Sequence, residues 1–104
     1  METSRAIELA AASAVDRRDL WSTVINAVQV VTAVEVGVFE GAFARHVLEQ
    51  CPTVTKYYMV DPWRHLGDWN KPANRTDREF IEIKEKAMAA TRFAKDRRLV
   101  LEGK

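Results

Sequence analysis

The stretch Ala33 to Phe43, AVEVGVFEGAF, decides how this chain is read. It starts as an apolar, β-branched run whose one charge is Glu35, passes through Gly37 and Gly41, and continues into a helix-forming sequence at Ala42. Val30 to Val36 fits a pleated, buried surface and reads as a strand ending at Gly37. Ala42 to Cys51 carries Ala44, Val47, Leu48 and Cys51 at helical spacing. It stops at Pro52, which cannot continue a helix. Gly37 permits a sharp exit from the strand, and Gly41 leaves room for a ligand and for the start of the helix. The first helical amides lack intrahelical partners and carry the positive end of the helix dipole. A carboxylate or phosphate is therefore favoured at this turn.

Reading outward, Ile7, Ala11, Ala14 and Val15 recur at helical spacing within Ser4 to Val15. A second helix is expected over Asp19 to Ala27, with Leu20, Val24, Ala27 and Val28 on one face and Trp21 beside it. The charges Asp16, Arg17, Arg18 and Asp19 read as a solvated turn between the two. Downstream, Lys56 to Val60 (KYYMV) is a second strand ending at Asp61-Pro62, with one of Tyr57 and Tyr58 in the core. Trp63 to Arg75 reads as a loop containing Gly67 and Pro72. Thr76-Asp77-Arg78-Glu79 fits a capping box. The helix it opens has Phe80, Ile83, Ala87, Thr91 and Ala94 on one stripe, Met88 beside them, and extends to about Phe93. Leu99-Val100-Leu101 is a third strand. Arg75, Arg78, Arg92, Arg97 and Arg98 read as solvated faces.

Strands alternating with helices of this length specify an α/β fold with a parallel sheet. The expected organisation is a single domain over 1–104, with N-terminal helices over 1–28 and a βαβαβ core over 30–104. Ligands of such sheets bind beyond the carboxyl ends of the strands. Gly37–Gly41 and Asp61 both lie there.

The bulk numbers narrow the classes. The 104 residues carry 16 Lys+Arg and 15 Asp+Glu, a net charge of +1. That balance gives no electrostatic case for nucleic acid or a membrane surface. The composition is 47% hydrophobic and 30% charged, with Trp21, Trp63 and Trp69, which argues against disorder. Cys51 is the one cysteine, so no intrachain disulfide forms, and a reducing, cytoplasmic setting is the default. The first 19 residues lack a signal-peptide core, and no window approaches the roughly 18 apolar residues of a membrane span. No His and carboxylate cluster has metal-ligand spacing. His46 is expected to face solvent, His65 to be a loop residue, and Cys51 to be a small buried side chain.

Asp61 follows Gly37 by 24 positions and closes the neighbouring strand. An acidic residue roughly 20 positions beyond a glycine loop is placed to accept hydrogen bonds from ribose hydroxyls. Pro62 fixes the backbone after it, and Trp63 either stacks on a purine or packs beneath the loop. The dinucleotide fingerprint G-x-G-x-x-G fails, because Phe39 and Ala42 stand where its second and third glycines belong. The P-loop fails as well, because no Gly-Lys-Ser/Thr follows.

Glu35-Val-Gly37-Val-Phe-Glu-Gly41, followed by Tyr57-Tyr-Met-Val-Asp61-Pro-Trp63, resembles the first two motifs of class I S-adenosylmethionine-dependent methyltransferases. The small O-methyltransferase-like branch is the most similar, and the resemblance runs from about Val30 to Gly103. It implies a Rossmann-like, three-layer α/β/α fold with strand order 3-2-1, of which this chain supplies about three of seven strands. It implies that Glu35 and the Gly37–Gly41 backbone, with Val38 and Phe39, surround the methionine part of S-adenosylmethionine. Asp61 would bind the ribose, and Pro62 and Trp63 would flank the adenine. Phe39 departs from the family's usual middle glycine. No general base is identified, and the acceptor would be a small molecule. Glu35 has an alternative role as a strand-end carboxylate paired with Arg45 or Lys56. Strand one would expose an edge, so the expectation is a truncated domain whose other half covers that edge, or a homodimer. The alternatives are a non-catalytic interaction domain of the same fold and a Rossmann-like module binding NAD or ATP.

Overall fold

A computed structural model describes residues 3–67 and 74–103. Helix α1 spans Thr3–Ser13 and α2 spans Arg17–Ala27. Strand β1 (Thr32–Val36), α3 (Ala42–Gln50), β2 (Lys56–Val60), α4 (Asp77–Ala90) and β3 (Arg98–Leu101) follow. The middle of the expected 63–75 loop, with Trp69 and Pro72, lies outside the described residues. Among the described residues no helix is long and apolar enough to cross a membrane.

The strands form one parallel sheet in the order β1-β2-β3, the order expected, and the fold is a small α/β fold. Each side-chain layer has a distinct fate. Tyr57 and Met59 of β2 are buried, and Ala33 and Val100 pack with them against α3 and α4. The inner sides of those helices are Ala44, Val47 and Leu48, and Phe80, Ile83 and Ala87. These are the residues their helical spacing had marked.

Among the described residues no helix covers the opposite sheet face. Val34 is 63% exposed and Val36 77%, in register with Tyr58 and Val60 of β2 and with Leu99 and Leu101 of β3. Among the described residues α3 and α4 cover one face of the sheet. The cause is topological: β1, β2 and β3 are laid down in one direction, and right-handed crossovers then place α3 and α4 on the same face.

Three local readings also change. The charged cluster before α2 is solvent-exposed at Asp16, Arg17 and Arg18 as expected, but only Asp16 lies in the break between the helices. Asp16 caps the helix, its carboxylate accepting from the Asp19 amide at 2.8 Å, so Arg17 and Arg18 belong to the first turn. On α2, Ala27 is exposed while Ser22 is buried and Ile25 packs on the core. Helix α4 opens on the expected capping box but ends at Ala90, where the chain tightens into a 3-10 turn over Arg92–Ala94. Its end is closed by Arg98, whose guanidinium donates to the Met88 carbonyl and the Thr91 hydroxyl.

Arg97 is the largest correction. Its guanidinium donates to the carbonyls of Val54 at 2.9 Å and of Leu48 and Cys51 at 3.0 Å each. It thus serves the C-terminal end of α3 and the turn into β2, where the Cys51 carbonyl also accepts from the Val54 amide at 3.1 Å.

Candidate functional site

The site grows from the end of β1. Gly37 donates its amide to Val60 O at 2.8 Å, which extends the ladder by one residue, and there adopts φ +86°. A left-handed conformation recurs at Phe39 (φ +55°) and Gly41 (φ +83°), with Val38 and Glu40 between them outside that region. Alternation of this kind turns backbone amides toward a common concavity that attracts an anion.

The chain supplies that anion itself. One Asp61 carboxylate oxygen accepts from the Phe39 amide at 2.9 Å and the other from the Trp63 amide at 2.8 Å. Trp63, also left-handed at φ +44°, closes the circuit: its indole N–H donates to the Phe39 carbonyl at 2.9 Å. A non-glycine residue in this conformation costs about 1–2 kcal/mol. The circuit offsets that cost at Phe39 and Trp63, which explains how a phenylalanine occupies a position where glycine is usual. Asp61 and Trp63 are both buried, 8% and 5% exposed. The indole therefore packs beneath the loop, and its ring is not a free stacking surface.

The two glycines have different duties. A Cβ at Gly41 would meet Ala87 Cα at 2.9 Å, so Gly41 lets α3 start against α4. It is buried and faces protein. A Cβ at Gly37 would meet nothing within 4 Å, and Gly37 is exposed. Of the two, Gly37 is the one a ligand can approach.

Two cavities adjoin Gly37. One, of about 340 Å³, is lined by Gly37, Phe39, Asp61, Pro62, Arg64, Leu66 and Phe80. Its charged lining residues are Asp61 and Arg64. The other, of about 590 Å³, runs along β1 and is bounded by Arg17, Trp21 and Ile25 of α2 and by Phe43 and Val47 of α3. Both are in the size range of small-molecule pockets.

Glu35 faces the larger cavity. It forms no ion pair with Arg45 or Lys56; the Tyr57 hydroxyl donates to it at 2.8 Å, and Arg45 pairs with Glu49. Burial pushes the Glu35 carboxyl above its usual range, with the Tyr57 bond and the Arg17 charge opposing and Asp61 reinforcing. Burial, and then the adjacent carboxylate, push the Tyr57 phenol upward as well, so it stays a hydrogen-bond donor.

Of the residues the sequence nominated, Gly37, Phe39, Asp61 and Pro62 line the smaller cavity, and Glu35 lines the larger. Val38 is buried in the core at 4% exposure. His46 is half-buried, 3.1 Å from the Arg18 carbonyl, and His65 is held by Asp77 and Arg75 in its loop. Sequence reasoning missed Arg64, Leu66 and Phe80, which no motif marks. It also missed Tyr57 as the partner of Glu35, although the register that sets Glu35 beside Met59 makes Tyr57 a diagonal neighbour.

No protein-family model, curated protein or solved structure matches this chain.

Proposed function

We propose that the protein binds S-adenosylmethionine at the carboxyl rim of β1 and β2 and serves methyl transfer to a small-molecule acceptor. The observation that carries this reading is the position of Asp61. Its carboxylate fills the concavity of the glycine loop, the place where a dinucleotide or P-loop protein would seat phosphate. A second anion there would meet the carboxylate at close range. A nucleoside without phosphates meets the opposite condition. A carboxylate offers about four acceptor positions, of which two are taken, and ribose hydroxyls are neutral donors for the remainder. Asp61 thus favours an adenosyl group and disfavours NAD and ATP.

Within this reading Pro62, Leu66 and Phe80 give the smaller cavity its apolar wall for a purine. Gly37 leaves the backbone open toward the methionine portion, and the Glu35 carboxylate faces an ammonium. When bound, S-adenosylmethionine supplies an electrophilic sulfonium methyl group for in-line displacement. The chain's part is to fix the cofactor and exclude misalignment. Trp63 acts through the loop it braces.

The finer fold belongs to the same proposal. A further strand paired with the free edge of β1 would reverse the direction of strand progression. A right-handed crossover would then put the connecting helix over Val34, Val36, Leu99 and Leu101. Parallel sheets are covered on both faces, which favours this completion. A second copy of the chain, or a role as a non-catalytic interaction domain, are the other ways to use these surfaces. A cytoplasmic setting accompanies the enzyme reading.

Titration calorimetry with S-adenosylhomocysteine, NAD and ATP tests the reading. One-to-one binding of S-adenosylhomocysteine with no binding of NAD or ATP is expected. ATP or NAD binding as tightly as S-adenosylhomocysteine overturns it.

A further inference from the structure

We draw no further inference here: the strongest candidate, the groove of about 610 Å³ between α4 and the end of β3 with Trp63, Ile81 and Met88 in its lining, carries none, because its Lys84 is already paired with Glu102, no buried side-chain polar atom among the described residues lacks a partner that a ligand would supply, and nothing in the structure shows what covers it.

Discussion

Replacing Asp61 by alanine would remove the acceptor for two backbone amides at once, those of Phe39 and Trp63. A hydrogen bond to a charged group is worth about 1.5–3 kcal/mol, so the pair is worth about 3–6 kcal/mol. Two effects reduce that figure. The smaller cavity reaches Asp61, so water can enter and solvate the freed amides. The loop can also relax from the left-handed conformation at Phe39, recovering about 1 kcal/mol. A net loss of about 3 kcal/mol is expected for Asp61→Ala. In a domain of this size that lowers the melting temperature by roughly 12 °C or more. Asp61→Asn keeps one carbonyl acceptor and should lose about half as much. Urea unfolding followed by tryptophan fluorescence reads both, because Trp63 is buried in the circuit. A loss under about 1 kcal/mol in Asp61→Ala would refute the claim that this carboxylate holds the loop. The same number matters for function: weakened S-adenosylhomocysteine binding in this variant combines lost ribose contact with a released loop, so the Asn variant is the cleaner probe of the first.

The glycines should separate. Gly41→Ala drives a Cβ to 2.9 Å from Ala87 Cα and should cost about 2 kcal/mol or more in stability. Gly37→Ala meets no atom within 4 Å and should cost only the roughly 1 kcal/mol of its positive φ while impairing cofactor binding. Equal stability loss in the two would contradict the assignment. Arg97→Met removes the guanidinium from three carbonyls, of which Cys51 O keeps the Val54 amide, and should destabilise by about 2 kcal/mol or more, seen as a lower urea midpoint; Arg78→Met, on an exposed residue, should stay within about 0.5 kcal/mol. Glu35 sets a pH dependence. Its folded pKa lies above the unfolded 4.5, so the folded state holds the proton longer, and this group's contribution to stability falls as pH rises from 4.5 through the raised value. Glu35→Gln should flatten that slope while its amide oxygen still accepts from Tyr57; an unchanged slope in denaturation series across that window would count against it.

Much of the fold was legible because its signals are local. The apolar run at Val30 to Val36, the spacing of Ala44, Val47 and Leu48, and the Thr76–Glu79 capping box depend on residues a few positions apart. The parallel sheet followed from their alternation. The candidate site was half legible. Gly37, Gly41 and Asp61 were recognisable because turn chemistry and strand ends leave marks in sequence. Their partners were not, since the Asp61 bond to Phe39 spans 22 residues and the Arg97 bond to Leu48 spans 49. An arginine written among other charges looks the same whether it meets water or three carbonyls.

The sequence alone therefore determined which segments are strands and helices, and that the loop after β1 and the acid after β2 share one rim. Only the tertiary structure decided what they do there. It turned Asp61 inward to fill the loop's own anion site and buried the Trp63 ring beneath the loop. It gave Gly41 to helix packing and left Gly37 open. The physical reason is that each of these outcomes depends on which backbone amides and side chains meet across strands. That is set by register and crossover direction, which a run of adjacent residues does not record.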